Sequence, residues 1–196
     1  REVGLDAVFL GFEAIADADL AQIAKHSTVA DNERAHATLR DAGEPAAEAA
    51  VLQSSQRTYL ESTRFDRIGI GGRCHVVPLH AVHEEFVGGP RQNWPATCET
   101  LARQRRLSAA DAQHVALWHA FGQLIGNSDM HFGNLSLFVD DIAAARLSLA
   151  PCYDMLPMKY KPQPHTGDFD LLPLTPERPR YVNADVWQSA RHLAAL

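Results

Sequence analysis

The sequence has few cysteines and no long hydrophobic run, and these absences exclude several classes of protein. Its three cysteines are widely spaced and form no CxxC pair, so neither a disulfide framework nor a zinc knuckle is supported. No apolar run approaches the roughly 18–20 residues of a membrane span, and no signal peptide is evident. We therefore expect a protein of the reducing cytoplasm that has no membrane contact.

Positive charge is also scarce in this chain. The formal net charge is −6, which argues against a broad, charge-driven contact with nucleic acid. A short basic run at residues 103–106 is typical of the solvated end of a helix. We expect no direct binding of nucleic acid by this chain.

The length of the chain, 196 residues, fits one large domain or two small lobes. Hydrophobic residues make up 46% and charged residues 21%, which is ordinary for a soluble globular protein. Because the first residue is Arg1 and not Met, we expect a processed product or a piece of a longer protein.

The order of helix and strand signals predicts an α+β fold. A helix is predicted at residues 30–42, where a glycine and a proline stop it, and two short strands follow within residues 50–60. After residue 94 the pattern is mainly helical. Ser108 has the features of an N-cap, and apolar positions within residues 115–125 repeat every three or four residues. Five further elements are predicted. They are a glycine-rich hairpin turn at 69–72, a short strand at 76–77, a helix at 95–105, a hairpin at 135–149 around an Asp-Asp turn at 140–141, and a last helix at 184–195.

The most informative stretch follows the apolar helix and contains Asp129 and, five positions later, Asn134. A further acid, Asp154, lies just beyond the predicted hairpin. Phosphoryl transfer from ATP needs one carboxylate that orients and deprotonates a hydroxyl, and an amide and a carboxylate that hold Mg²⁺. Since Mg²⁺ completes its shell with water and phosphates, a sparse set of ligands suffices. The Asp-x-x-x-x-Asn spacing is also that of the catalytic loop of protein kinases.

Two other interpretations of these residues stay open at this point. Asp129 and Asn134 could simply cap turns, because both residue types favour turns. Asp129 and His131 could instead bind a transition metal in a hydrolase, since the chain contains 10 histidines. No HExxH or similar pair with metal-ligand spacing is present to support the hydrolase interpretation.

Three motifs occur in one order along the chain. They are Arg-Phe-Asp-Arg at residues 64–67, Gly-Asn-Ser-Asp-Met-His-Phe-Gly-Asn within residues 124–137, and Cys-Tyr-Asp-Met-Leu-Pro within residues 149–157. Together they resemble the HipA-like family of serine/threonine protein kinases, the toxin halves of bacterial toxin–antitoxin pairs. The resemblance clearly covers about residues 30–170, and residues 26–33 are more weakly similar to a helix start of the same family.

The resemblance implies a protein-kinase-like arrangement of the α+β fold. Residues 1–60 would form a small, reduced amino-terminal lobe, and residues 61–196 the hinge and a mainly helical carboxy-terminal lobe. It also implies ATP and Mg²⁺ as cofactors, a protein as substrate and an antitoxin protein as partner.

The same resemblance assigns roles to the residues of the second and third motifs. Asp129 would be the catalytic base that accepts the proton of a substrate Ser or Thr hydroxyl. Asn134 and Asp154 would hold Mg²⁺ against the ATP phosphates. His131, between the base and the metal ligand, would orient the loop or contact a phosphate.

The first motif would belong to the hinge that meets the adenine edge of ATP. This hinge would run from Glu61 through Arg64 to Phe65 and present its backbone amide and carbonyl groups to the base. Asp66, the next residue, would anchor the ribose or give the hinge its shape.

The first sixty residues depart from the family pattern. They contain no glycine-rich loop, and their single lysine, Lys25, is the candidate for the phosphate-gripping lysine, with Glu33 as a partner. The glycine-rich turn at residues 69–72 follows the hinge and lacks a strand-turn-helix context, so a hairpin turn is favoured. We therefore expect an amino-terminal lobe that is truncated or has decayed. The alternative to an active kinase is a pseudokinase that acts as a binding or antitoxin-type protein.

Overall fold

The computed structural model describes residues 29–53, 55, 58–160 and 173–195. The predicted apolar segment at residues 3–12 and the candidate Lys25 lie outside the described residues. The same holds for residues 26–28 of the weaker helix-start likeness, and for residues 29–33 only the backbone is described.

Five α-helices and three small antiparallel sheets form the described part of the chain. The helices are α1 (Val29–Asp41), α2 (Leu79–Phe86), α3 (Trp94–Arg103), α4 (Ala109–Leu124) and α5 (Ala184–Ala194), and a 3₁₀ turn covers Met158–Tyr160. The strands are β1 (Ala49–Gln53), β2 (Thr58–Ser62), β3 (Arg67–Ile68), β4 (Gly72–Arg73), β5 (Val76–Pro78), β6 (Ser136–Asp141) and β7 (Arg146–Leu149). This composition confirms the predicted α+β class, while the division into two kinase-like lobes at residue 60 stays a prediction.

The three sheets are formed by hairpins and one added strand. Strands β1 and β2 form the first hairpin, and β3 and β4 form the second, so the glycine-rich turn is a hairpin turn as predicted. Strand β5 joins the β6–β7 hairpin as an outer strand, with Val77 opposite Leu137 and Leu137 opposite Leu149. This pairing brings the residues after the second hairpin next to the loop that precedes β6.

The structure corrects two details of the predicted elements. The turn predicted at residues 140–141 is wrong, because Asp141 still pairs with Arg146 and the chain reverses between them. Asp141 nevertheless organises that reversal, since its carboxylate accepts the N–H of Ala144 at 3.0 Å and pairs with Arg146 at 3.0 Å. Helix α2 has no counterpart among the predicted elements, and it buries Leu79 and Val82.

Helix α4 is the central helix of the core. Val115, Trp118 and Phe121 are buried, as the three- and four-residue spacing predicts, and the helix packs against both α3 and α5. Ser108 caps its amino end, where the hydroxyl accepts the N–H of Asp111 at 2.9 Å.

Glu44 attaches the segment after α1 to this central helix. Its carboxylate accepts a hydrogen bond from the His114 ring at 2.7 Å and one from the Trp118 indole at 2.9 Å. Two residues later, Ala46 forms a parallel β-bridge with Cys152. The amino-terminal part of the described chain is thereby bound to the segment that leads into Asp154.

The three cysteines Cys74, Cys98 and Cys152 are free thiols, so the described chain has no disulfide framework, as expected. Burial raises the pKa of the Cys98 and Cys152 thiols above its ordinary value. None of the helices in the described part is both long and apolar enough to cross a membrane.

Candidate functional site

The loop after α4 leaves the helix through a Schellman cap. Gly126 has a φ of +77°, a left-handed conformation that favours glycine, and it donates its N–H to the carbonyl of Gln123 at 3.3 Å. The next residue, Asn127, donates its N–H to the carbonyl of Gly122 at 2.8 Å. Because the cap sets the direction in which the chain leaves, the loop starts from a fixed point at the end of a buried helix.

Asn127 connects the two loops that carry the candidate acids. Its side chain is buried, and its Oδ1 accepts the N–H of Asp129 at 2.9 Å, which makes an Asx turn. Its Nδ2 donates to the carbonyl of Asp154 at 3.5 Å. One amide therefore contacts the main chain of both acids, and the structure places Asp129 and Asp154 at the same corner of the fold.

The loop between Asp129 and Asn134 is closed by its own hydrogen bonds. The carbonyl of Asp129 accepts the N–H of His131 at 2.9 Å and the side-chain amide of Asn134 at 2.9 Å. The N–H of Asn134 donates to the carbonyl of His131 at 3.0 Å. Asp129 is exposed and Asn134 is buried. Because the Nδ2 of Asn134 donates to the carbonyl of Asp129, its Oδ1 is the side-chain atom that a cation would contact.

His131 has a defined tautomer within this loop. Its Nδ1 accepts the N–H of Gly133 at 3.0 Å, so that nitrogen carries no proton and Nε2–H is the donor of the neutral ring. A Cβ on Gly133 would lie 2.9 Å from the imidazole carbon Cε1, so the glycine leaves room for the ring. The exposed ring can therefore offer an N–H to an anion beside Asp129.

The first residues of α2 and α3 donate hydrogen bonds to this loop and to the residue that follows it. The indole N–H of Trp94 donates to the carbonyl of His131 at 3.1 Å. The backbone N–H of His80 donates to the carbonyl of Phe132 at 3.2 Å, and that of Leu79 donates to Leu135 at 2.8 Å. The starts of α2 and α3 thus carry the loop, although neither helix contributes a candidate catalytic side chain.

Asp154 lies in a segment that is tied to the same loop by the preceding residue. The Tyr153 hydroxyl donates to the carbonyl of Gly133 at 2.8 Å and lies 2.7 Å from the Ser136 hydroxyl. Asp154 itself has a φ of +55°, in the left-handed region that Asp and Asn tolerate better than most residues. The two candidate metal ligands, Asn134 and Asp154, are therefore carried by segments that are hydrogen-bonded to each other.

A cavity of about 480 Å³ lies next to this corner and is lined by the predicted hinge. Phe65 is its aromatic wall, with its ring centroid 5.9 Å from that of Phe138 and 5.9 Å from that of Tyr153. The predicted Arg64 and Asp66 also line it, whereas the exposed Glu61 does not. The remaining lining residues are Ala47, Ser62, Thr63, Val76, Pro78, Ser136 and Tyr153, of which Ser62 and Thr63 belong to the predicted hinge.

Asp66 and Arg64 form an ion pair within the hinge. The Arg64 Nε donates to one carboxylate oxygen at 2.6 Å, and its terminal nitrogen donates to the other oxygen. Arg67 lies 3.9 Å from the same carboxylate. The hydrogen bond from Arg64 holds the pKa of Asp66 below its usual range and raises the pKa of Arg64. Both carboxylate oxygens thus engage the hinge itself, which favours the shaping role of Asp66 over the ribose-anchoring role.

The side chains at this corner fit a hard cation such as Mg²⁺. The carboxylate of Asp154 and the amide oxygen of Asn134 are oxygen donors, and Mg²⁺ prefers few protein oxygens together with water and phosphate. In the part of the chain that the structure describes, no three His, Cys, Asp or Glu side chains are close enough to hold a metal ion together.

Several residues that build the site carry no sequence signal of their own. Asn127 lies within the motif, yet its contacts to both acids depend on the fold. Ser136 and Val76 enter the cavity only because β5 pairs with β6. Trp94 lies far from the loop in the sequence. A hydrophobic pattern marks Trp94 and Val76 only as apolar residues. The contacts of all four residues are what show that they support a site.

This chain is similar to known proteins in sequence and in fold. The family described as HipA-like C-terminal domain matches residues 13–193. This chain belongs to that family. The family predicted from the three motifs is thereby confirmed.

One curated relative is Toxin YjjJ of Escherichia coli (strain K12), which is 45% identical over 126 residues. That match covers 63% of this chain and 27% of YjjJ. A similar solved structure is the Shewanella oneidensis MR-1 toxin–antitoxin complex of HipA, HipB and its operator DNA, with a TM-score of 0.55 and 21% identity. That match covers 68% of this chain and 35% of the other chain, and it supports the fold. The chain thus spans about a quarter to a third of these relatives' length.

Proposed function

We propose that this chain is the catalytic region of a HipA-like toxin kinase, which transfers the γ-phosphate of ATP to a Ser or Thr hydroxyl of a protein. The observation that carries the proposal is the continuity between the hinge cavity and the candidate metal ligands. Ser136 and Tyr153 line the cavity, and they flank Asn134 and Asp154 in the chain. A nucleotide whose base fills the cavity would therefore extend its phosphates toward an acid and an amide.

The cavity offers what a nucleobase needs. Phe65 and Tyr153 supply aromatic surface, and Val76 and Pro78 supply aliphatic surface. The hinge between β2 and β3 supplies backbone donors and acceptors at the cavity edge. A concave, mostly apolar pocket with a few polar groups is the usual form of a small-molecule site.

Asp129 is the residue that we assign to the proton of the attacking hydroxyl. It is exposed, so a protein substrate can reach it, and its backbone is held on both sides by Asn127 and Asn134. A carboxylate in a fixed position orients the hydroxyl and accepts its proton as the bond to phosphorus forms. His131 offers its Nε2–H to a phosphate oxygen beside it.

Asn134 and Asp154 are the residues that would hold Mg²⁺. When bound, Mg²⁺ neutralises phosphate charge and fixes the orientation of the phosphates. Lys25, supported by Glu33, is assigned to grip the phosphates from the amino-terminal side. The protein partner is proposed to be an antitoxin, because the solved HipA complex contains HipB.

Nucleotide-dependent stabilisation followed by radiolabel transfer tests this function. We expect ATP with Mg²⁺ to raise the melting temperature of the parent chain and of the matched control Asp41→Asn, an exposed acid at the end of α1. Asp154→Asn should abolish the Mg²⁺-dependent part of the shift. Asp129→Asn should keep the shift but lower transfer at least about a hundredfold, since it removes the general base.

The outcomes separate the candidate functions. Binding of ATP without transfer by the parent would contradict the kinase and leave the pseudokinase, a binding protein of antitoxin type. If a transition metal stabilised the chain and ATP did not change that stabilisation, the result would contradict both the kinase and the pseudokinase.

A further inference from the structure

Tyr153 belongs to one of the three segments that form the proposed site, and its side chain contacts the other two. Its hydroxyl donates to the carbonyl of Gly133 at 2.8 Å, and Gly133 directly precedes Asn134. Its ring lies 5.9 Å from that of Phe65 in the hinge. Its own main chain leads into Asp154. No other residue discussed above joins all three segments.

The hydroxyl network of Tyr153 is well defined. The Ser136 hydroxyl lies 2.7 Å from the Tyr153 oxygen, and since the Tyr153 proton is directed to Gly133, Ser136 donates to Tyr153. The phenol therefore donates one hydrogen bond and accepts another.

We propose that Tyr153 is a positioning residue whose hydroxyl sets the separation between Asn134 and Asp154, and hence the affinity of the site for Mg²⁺. This inference rests on the proposed function. The two ligands belong to different segments. Among the described contacts, Tyr153 joins these segments on the Gly133 side, together with Ser136, and Asn127 joins them on the Asp129 side. Loss of the Tyr153 hydroxyl would leave the Asn127 contact in place. Asp154 would then shift relative to Asn134 without unfolding of the loop.

The variant Tyr153→Phe isolates this role, because it keeps the ring beside Phe65 and removes both hydroxyl contacts. We expect the Mg²⁺ concentration for half-maximal stabilisation by ATP to rise about tenfold or more, as for other residues that support metal ligands. Nucleotide binding in EDTA should stay within about twofold of the parent, because the cavity wall is unchanged. In transfer assays at limiting Mg²⁺, kcat should recover as Mg²⁺ is raised while the KM for ATP stays near that of the parent.

Two further variants keep the test independent of folding. Ser136→Ala should raise the Mg²⁺ requirement less than Tyr153→Phe, since Tyr153 still donates to Gly133. Tyr181→Phe is the matched control, because its hydroxyl accepts the Gln123 amide at 3.2 Å and lies outside the site. It should leave the Mg²⁺ dependence unchanged.

Each result decides between the alternatives. A Mg²⁺ curve of Tyr153→Phe that superimposes on the parent curve would overturn the positioning role and leave the proposed kinase intact. Equal losses in EDTA and in Mg²⁺ would show that Tyr153 only lines the cavity. A parent that binds Mg²⁺ with nucleotide but transfers nothing would overturn the kinase and still allow the positioning role to be measured by binding. A parent without Mg²⁺-dependent nucleotide binding would overturn both.

Discussion

The indole N–H of Trp94, at the start of α3, donates a hydrogen bond to the carbonyl of His131 at 3.1 Å across 37 residues of the chain. Trp94 is 1% exposed, so the donor of this bond is shielded from water. A core tryptophan thus holds the middle of the loop between Asp129 and Asn134. The loop is exposed at Asp129, yet its position is set by a buried helix.

Replacing this tryptophan by phenylalanine should loosen the loop without emptying the core. We expect Trp94→Phe to lower the free energy of unfolding by about 1 kcal/mol, because the His131 carbonyl keeps its bond from Asn134 and is not left unsatisfied. The kcat for phosphate transfer should fall about tenfold or more, since small displacements of a catalytic group are costly. The KM for ATP should not change. Trp187→Phe, in α5, is the matched control, and a parallel change in KM would contradict the assignment.

The left-handed backbone of Asp154 predicts different effects for two substitutions that both remove its charge. Asp154→Asn and Asp154→Ala should each abolish the effect of Mg²⁺ on nucleotide binding. Only alanine should also destabilise the fold, by about 1 kcal/mol relative to asparagine, because it lacks the local side-chain hydrogen bonds that help Asn adopt a positive φ. Urea unfolding without nucleotide measures this difference. Ala145, with a φ of +47°, provides the converse control, since Ala145→Gly should stabilise the chain. Equal stabilities of the two Asp154 variants would contradict the argument.

Gly122 is required by the packing of the two methionines that directly follow the candidate acids. A Cβ at this position would overlap the sulfur of Met130 and lie 3.1 Å from that of Met155. For Gly122→Ala, an overpacking cost of about 1–3 kcal/mol opposes a gain in helix propensity of about 1 kcal/mol. We expect a net loss of about 1 kcal/mol in thermal or urea unfolding. Gly71→Ala is the control, because its Cβ would meet nothing within 4 Å, and it should be neutral. A stabilised Gly122→Ala variant would contradict this packing.

Two buried histidines should make the fold sensitive to acid. Burial lowers the pKa of His119 from 6.5 to about 4, and burial together with the charge of Arg40 lowers that of His36 to about 4. Between these values the unfolded chain takes up protons that the folded chain does not. Stability is therefore full above pH 6.5 and falls as the pH drops toward 4, by up to about 3 kcal/mol per histidine.

A single substitution tests the contribution of His36 to this acid sensitivity. Among the described residues, neither ring nitrogen of His36 has a hydrogen-bond partner, so His36→Leu should be neutral or stabilising at pH 7. It should also reduce the loss of stability between pH 7 and pH 5, measured as the shift of the urea midpoint. The exposed His80 provides the matched control, since His80→Leu should leave that shift unchanged. An unchanged pH dependence in His36→Leu would contradict the assignment.

Structural features were predicted correctly from the sequence where they depend on residue type and on residues close by in the chain. Ser108 was predicted as an N-cap and the stripe of α4 as core, because caps and amphipathic helices depend on neighbouring residues alone. Helix α2 was not predicted, since its eight residues are too few to show a clear repeat. The turn at residues 140–141 was misplaced because an aspartate at the end of a strand can organise a turn that lies beyond it.

By itself the sequence determined the family and the set of candidate groups, Asp129, Asn134 and Asp154, because motif order and side-chain chemistry are local properties of the chain. Only the tertiary structure decided how these groups are held. The pairing of β5 with β6 closed the cavity, and the hydroxyl of Tyr153 joined the two segments that carry the metal ligands. Such contacts join residues that are distant in sequence, and their existence depends on the packing of the whole core around α4.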